Sequence, residues 1–416
     1  MERMFVIGNP GNRRTAALQQ ARKNLGLSPA IELSYIELLQ GSSSLTELVD
    51  SNDAQFGGIP PLLRIDAPGE HFEVEAAMIA LGAPDARRTD GDERLLPYGH
   101  LPESQHLSMN HALSLKEKKG KLYHPSQWFR GYGRLLARLD TEARMIWGER
   151  TRWLNDPVEI VSMFDKRHTH KVLSAAGISV PKRLASPEEV MDYDSLREQM
   201  NSKRIHRVFI KLASGSGACG VIAYQINPRT GAEVAITSLG VENYIAKPPL
   251  YYNVKKLQRY TERSIIKQII NWLLLHGAHI EQWIAKASFG DRTFDIRQLV
   301  VTGEACHQVA RVSRTPITNL HLRSERYELE TIGLAADVQE AVKHTAEAVS
   351  AVYSRSAIAG IDVLLSSGSQ KPYVVDVNPF GDLLYGVNYK GYDAYEWELR
   401  RLMDSHWTPV TKVGSN

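Results

Sequence analysis

The sequence predicts a mixed α/β fold, and three observations carry that prediction. Short apolar runs of strand length alternate with longer segments of helical periodicity. Several later strands follow one another closely, which makes antiparallel pairs joined to helices and gives the chain an α+β character. The length of 416 residues suffices for two or three domains, each with its own core. Hydrophobic residues at 43% and charged residues at 23% are the balance of a folded globular chain. The net charge of +3 is too small to call for a nucleic-acid partner, and none is expected.

Residues 4–8 (MFVIG) read as a buried strand, followed by the turn-forming NPGNRR and the helical run TAALQQARKNLGL. The first ten residues therefore read as a strand start and not as a signal peptide. This strand–loop–helix opening lacks a GxGxxG pattern, so a structural Rossmann-like unit is the better reading than a dinucleotide site. Residues 41–130 are rich in Gly, Pro, Ser and His with irregular spacing, and no elements are assigned there. A helix over about 157–176 ends at Gly177, which sets a domain boundary near 150. Strands follow at 208–211, 220–226 and 233–238, with a turn at 227–231. A polar segment and an amphipathic helix near 255–275 occupy 241–278. Strands resume at 280–284, 295–302 and 307–312, then a helix at 335–354 and a hairpin at 360–382. The most apolar window, 265–280, is interrupted by Lys267, Gln268, Asn271 and His276 and cannot span a membrane. Cys219 and Cys306 form neither a zinc spacing nor a disulfide framework, so a reducing cytoplasm is the expected location.

The hairpin GIDVLLSSGSQKPYVVDVNPFGD places Asp362, Asp376 and Asn378 on two otherwise apolar strands. Alternation points Asp376 and Asn378 to one face, and folding about Ser367–Gln370 brings Asp362 opposite Asp376. Three oxygen donors converge, and two adjacent carboxylates are costly to desolvate without a hard cation such as Mg²⁺ between them. The alternative is a solvent-facing strand edge, where charges are ordinary. RVFIKLASGSGACGV (207–221) runs from a strand carrying Lys211 into a loop with Gly215, Ser216, Gly217 and Gly220. Glycines let successive N–H groups face an anion, so the loop suits polyphosphate, although a flexible hairpin explains it equally. Glu281, Gln282, Trp283 and Ile284 end a strand ahead of AKASFGD. Unpaired backbone groups beside Trp283 and Ile284 fit a planar ring such as adenine, and a plain core role for Trp283 is the competing reading. Asp295 and Arg297 share one strand face, and Arg311 and Arg314 follow in HQVARVSR. These arginines can stabilise a developing oxyanion or form surface ion pairs of little consequence. His168, His170, His276, His279 and Cys219 read as structural or solvent-facing.

Over about residues 155–390 the chain resembles the ATP-grasp superfamily, most closely the branch of ribosomal protein S6:glutamate ligase and bacterial glutathione synthetase. The resemblance rests on FDKRHTHKVLSAAGISVPKRL, VFIKLASGSGACGV, EQWIAKASFGDRTFDIRQLVV, ARVSRTPITNLHL and GIDVLL…YVVDVNPFGD in that order. It implies an ATP-grasp fold of two α+β lobes, about 181–284 and 285–405 within 151–416, after a Rossmann-like unit over 1–150. It implies that Lys166 and Lys211 contact ATP phosphates and that the segment Gln282–Ile284 holds adenine through its backbone. It further implies that Asp362, Asp376 and Asn378 hold Mg²⁺, with Mn²⁺ as the alternative ion. Arg297 and Arg311 would lie near the reacting groups. Arg314, Asn319 and His321 would face substrate, and Asp382 is placed to orient an incoming ammonium, with an exposed turn acid as the competing reading. Three departures stand out. The metal strand reads D-V-N where the family has E-x-N, the stretch NLHLRSER lacks the glycines of NLHxGG, and 241–278 reads as an insertion.

The resulting expectation is an ATP- and Mg²⁺-dependent ligase that joins a small-molecule or peptide carboxylate to an amine through an acylphosphate. Its rivals are a phosphotransferase acting on a hydroxyl and a module that binds ATP without turnover. No membrane partner is expected, and the oligomeric state stays open.

Overall fold

The computed structural model describes residues 3–52, 59–86, 101–322 and 324–404. Strand β1 (Met4–Gly8), helix α1 (Arg13–Asn24), strand β2 (Ile31–Ser34) and strand β3 (Leu62–Ile65) come first. Helix α2 (Phe72–Leu81), the long helix α3 (Pro125–Trp147) and strand β4 (Arg152–Trp153) follow. The strands pair in parallel in the order β2-β1-β3-β4. Both faces of β1 are covered, which is why its five residues read as a continuous apolar run. Met4 and Val6 share a core with Leu18 and Ala21 of α1, whereas Phe5 and Ile7 pack with Tyr132, Leu135 and Leu139 of α3. Because β2 and β3 lie on opposite sides of β1, the winding of the chain reverses between β1 and β3.

The single helix expected over 157–176 is two helices, α4 (Pro157–Phe164) and α5 (Lys166–Ala175). Asp165 breaks them: its backbone is extended, and its carboxylate accepts from the amides of Arg167 and His168 as the cap of α5. Lys166 is therefore the first residue of a new helix and not a mid-helix side chain. Helix α6 (Tyr193–Ser202) leads into strands β5 (Arg207–Leu212), β6 (Val221–Ile226), β7 (Glu233–Glu242) and β8 (Leu250–Tyr260). Helix α7 (Arg263–Leu275) and strand β9 (Ala278–Gln282) complete a five-stranded antiparallel sheet of order β8-β7-β6-β5-β9.

Two expectations are corrected here. The helix placed near 255–275 begins at Arg263, because Leu250–Tyr260 form the edge strand β8. The strand placed over 280–284 ends at Gln282, so Trp283 and Ile284 lie beyond it. Residues 241–278, expected as an insertion, supply that edge strand and also Ile266, Ile269, Ile270 and Leu273 to the core under the sheet.

The second antiparallel sheet contains β10 (Ser288–Phe289), β11 (Arg292–Val301), β12 (Glu304–Ser313) and β13 (Glu325–Tyr327). Helix α8 (Ala336–Val352) then precedes β14 (Ile358–Leu365) and β15 (Pro372–Asn378). The order is β13-β12-β11-β14-β15, with β10 pairing β11. Val342, Ala346 and Val349 of α8 cover one face with Ile296, Ile361 and Val363. Helix α9 (Ala394–Asp404) returns to the first sheet and shares the core of β1 and α1. No helix among the described residues is long and apolar enough to cross a membrane.

Candidate functional site

The β14–β15 hairpin positions the acids. Its register sets Asp362 against Asp376 and Gly360 against Asn378, with a bulge after Asp362. Asn378 donates its side-chain N–H to Gly360 O at 3.1 Å. Asp376 lies 3.2 Å from Lys166 Nζ, and the same ammonium donates to Gly215 O of the glycine loop at 2.7 Å. Lys211, at the end of β5, meets Glu281 Oε1 at 2.5 Å and donates to Val375 O at 3.0 Å. The lysines and hairpin acids, read from segments far apart in sequence, thus meet where the two antiparallel sheets face each other.

Cross-strand pairing organises the arginines. Arg297 is the register partner of Asp362, and Asp295 is that of Arg311. Arg297 Nε lies 2.5 Å from Asp362 Oδ1, and its Nη1 lies 3.1 Å from Asp382 Oδ2. Arg311 Nε contacts Asp295 Oδ1 at 2.7 Å and its Nη2 contacts Asp362 Oδ2 at 3.0 Å. Lys286 Nζ adds a contact to Asp295 Oδ2 at 3.3 Å and another to the Thr318 hydroxyl.

Burial works to raise the pKa of Asp295, but Arg311, Lys286 and the Thr318 hydroxyl hold it down to about 2. The same contest at Glu281 ends at about 2, with Lys211 and His279 outweighing burial. Lys286 is depressed by its burial, which Asp295 only partly offsets. For Asp382, burial is outweighed by Arg297 and Arg14, and the carboxyl lies below its ordinary range. Lys166, Lys211, Lys286, Arg297 and Arg311 therefore face Glu281, Asp295, Asp362, Asp376 and Asp382 in one region, five cations against five carboxylates.

An apolar cluster adjoins this set. Phe209 and Trp283 pack at 5.2 Å between centroids with their rings tilted by 53°, and Ala223, Ile236, Leu257 and Ile317 join them. The amides of Gln282 and Trp283 already bond Lys182 O and Arg207 O. In the glycine loop, Gly217 has φ +59°, and a side chain there would also come within 3.5 Å of the His321 ring. Asn319 Oδ1 accepts from the His321 amide, so that turn faces the loop's tip. Ser216 lies in the same loop. Arg314 is not brought to the cluster: it is exposed and pairs with Asp291 at 3.5 Å. Arg323, within the NLHLRSER stretch, lies outside the described residues.

Sequence reasoning missed Lys286, Thr318, His279 and Arg14. His279 Nε2 lies 3.1 Å from Glu281 Oε2, and Arg14 donates to Phe380 O at 2.9 Å beside Asp382. Alternation could have found His279, which shares a strand face with Glu281. Nothing local marks Lys286 in its polar stretch.

As to metal, the donors offered by Asp362, Asp376 and Asn378 are all oxygens, the set a hard divalent ion prefers, although Arg297 and Arg311 engage both oxygens of Asp362 and Lys166 one of Asp376. No group of three or more His, Cys, Asp and Glu side chains with metal-holding geometry occurs among the described residues. A cation here would take few protein ligands and fill its shell from elsewhere, as Mg²⁺ does with phosphate oxygens and water.

No family model matches the chain, and no curated protein sequence matches it. Solved structures do. The ATP-grasp ligase PsnB, complexed with a phosphomimetic variant of its minimal precursor, Mg and ADP, aligns with a TM-score of 0.50 at 12% identity, over 97% of this chain and 98% of that one. The D-cycloserine synthetase DcsG aligns with a TM-score of 0.51 at 11% identity, over 97% and 99%. The architecture of this chain is the ATP-grasp fold.

Proposed function

We propose that this chain is an ATP- and Mg²⁺-dependent ligase that joins a carboxylate to an amine through an acylphosphate and releases ADP and phosphate. The observation that carries the reading is the pair of buried ammonium groups, Lys166 and Lys211, that reach the hairpin between the two sheets, Lys166 from the glycine-loop side, beside the apolar cluster of Phe209 and Trp283. A polyphosphate needs fixed positive charge, and a transferring phosphoryl group needs it without reorganisation. The named complex of PsnB with Mg and ADP supports the same assignment of nucleotide and ion.

In this reading the apolar surface of Phe209, Trp283 and Ile317 packs against the base, beside the backbone of Gln282–Ile284. Lys166, Lys211 and the loop Gly215–Gly217 take the phosphates. Asp362, Asp376 and Asn378 would hold Mg²⁺, which supplies shielding of phosphate charge. The substrate carboxylate attacks the γ-phosphorus, ADP leaves, and an amine then displaces phosphate from the acylphosphate. Arg297 and Arg311 stabilise the oxyanion of the tetrahedral intermediate, and Asp295 and Lys286 hold Arg311 in place. The described residues up to about 150, with β4 just beyond, act as a Rossmann-like unit, and those after it form the catalytic unit with lobes from about 181 and about 285.

Isotope transfer tests the reading. With labelled oxygen in the substrate carboxylate, one label should appear in the released phosphate, because the bridging oxygen leaves with phosphorus. Label retained wholly in the organic product, or release of AMP, would overturn it, and transfer of phosphate to a hydroxyl would favour the phosphotransferase.

A further inference from the structure

Asp295 on β11 holds Arg311 Nε with one carboxylate oxygen, Oδ1, at 2.7 Å. Its other oxygen is held from outside that strand pair. The Thr318 hydroxyl donates to Oδ2, and Lys286 Nζ reaches the same oxygen at 3.3 Å while donating to Thr318 Oγ1. Asp295, Arg311 and Thr318 are all buried. The terminal torsion of an aspartate is soft, with broad wells in place of three sharp ones, so strand register alone leaves the plane of this carboxylate open. The partners of Oδ2 fix the plane. The plane in turn aims Arg311, whose Nη2 lies 3.0 Å from Asp362 Oδ2.

Thr318 comes from the connection between β12 and β13. The residue before it, Ile317, is buried against Phe209 and Ala223 of the five-stranded antiparallel sheet, and Leu322 packs on the same cluster. Further along, His321 lies beside the glycine loop, within 3.5 Å of where a side chain at Gly217 would stand. The connection therefore leaves its own sheet, rests on the facing one, and is tied back to Asp295 by a single hydroxyl that Lys286 braces. From Ile317 to Arg311 the path is short: one peptide link, then Thr318 Oγ1 to Asp295 Oδ2, then Asp295 Oδ1 to Arg311 Nε. On the ligase reading a base packs against Ile317, so this path joins the base to the reacting centre. Fixed donors act on a transition state only while they are aimed at it, and a displacement of about 1 Å costs about a hundredfold in rate.

We propose that Thr318 is a positioning residue for Arg311, and that its hydroxyl transmits the arrival of a base on the surface of Phe209, Trp283 and Ile317 to the arginine at the reacting centre. The inference rests on the ligase reading and deepens it: recognition of the nucleotide and alignment of the oxyanion donor are joined through one side chain. Valine has the shape of threonine without its hydroxyl. Thr318→Val therefore leaves Asp295 Oδ2 to Lys286 alone and cuts the path at its middle.

The test reads Arg311 itself. In the full chain carrying nitrogen-labelled arginine, the Nε–H resonance of Arg311 is assigned by its loss in Arg311→Lys, and its exchange with water is measured. In Thr318→Val that exchange should quicken about tenfold or more, the scale of one charge-assisted hydrogen bond, whereas Thr318→Ser should stay within about twofold of the unaltered protein. Saturating adenosine, which carries no phosphate, should shift the resonance in the unaltered protein and in Thr318→Ser and leave it in place in Thr318→Val. Unchanged exchange in Thr318→Val overturns the inference. So does equal acceleration in Thr318→Ser, which would make the methyl group and not the hydroxyl responsible. Should the valine variant fold poorly, the unaltered protein decides: an Arg311 resonance indifferent to adenosine, in a protein that binds ATP, overturns this inference alone. Absence of binding by both ATP and adenosine overturns the ligase reading beneath it.

Discussion

Arg297 on β11 and Asp362 on β14 are cross-strand partners whose Nε and Oδ1 lie 2.5 Å apart, and the other oxygen of the same carboxylate takes Arg311 at 3.0 Å. One acid thus answers two arginines, and Arg311 in turn answers two acids. Removing one member of such a buried set leaves charge without compensation, at a cost of about 3–5 kcal/mol. Arg311→Met is expected to lose stability on that scale in urea denaturation. A loss well under about 1 kcal/mol would show that the acids are already relieved by solvent.

The hairpin register gives the metal prediction. Asp376→Asn and Asn378→Ala should each lower Mg²⁺-dependent turnover by more than about a hundredfold while leaving the circular dichroism spectrum unchanged. Turnover near the unaltered rate in either variant at ordinary Mg²⁺ removes the proposed ion from this strand.

Nucleotide recognition separates by chemistry. On the ligase reading Lys211→Ala should weaken ATP far more than adenosine, since there the ammonium meets phosphate and the apolar cluster around Trp283 meets the base. Calorimetric losses of equal size for both ligands would mean that Lys211 acts through the integrity of the cleft.

Glu281 ties stability to pH. Burial would raise its pKa, but Lys211 and His279 hold it at about 2, below the ordinary 4.5. A depressed carboxyl contributes stability that is present above its unfolded value and lost as pH falls through the folded one. Asp295 behaves alike, from 3.8 down to about 2. Unfolding free energy should therefore fall between about 4.5 and 2, and Glu281→Gln should make that fall shallower while lowering stability at neutral pH. An identical acid profile in the variant would show that Glu281 does not carry the linkage.

Strands with local signals were legible. β5 with its glycine loop and the β14–β15 hairpin carry both alternation and turn chemistry, so Lys211 and the pairing of Asp362 with Asp376 could be read from residues close in sequence. The break at Asp165 was hidden because apolar spacing runs through it, and only the cap bonds reveal the second helix. β8 was misread because its run VKKLQRY puts charges on an exposed edge, where they mimic an amphipathic helix. Lys286 and Arg14 were invisible for another reason. Arg14 finds Phe380 across 366 residues, and no window along a chain contains such a contact.

Lys211 belongs to one sheet yet donates to Val375 O on the other, and Lys166 holds Gly215 O and Asp376 together. These ammonium groups thus latch the two sheets together. On the ligase reading, phosphate oxygens compete for the same protons, so entry of nucleotide and release of the latches are one event. The observed association rate should then level off at high ATP, at the frequency with which the cleft opens unaided. The latches re-forming behind departing ADP would hasten its exit. On the same reading, two lysines set the rhythm of the cleft as well as its affinity.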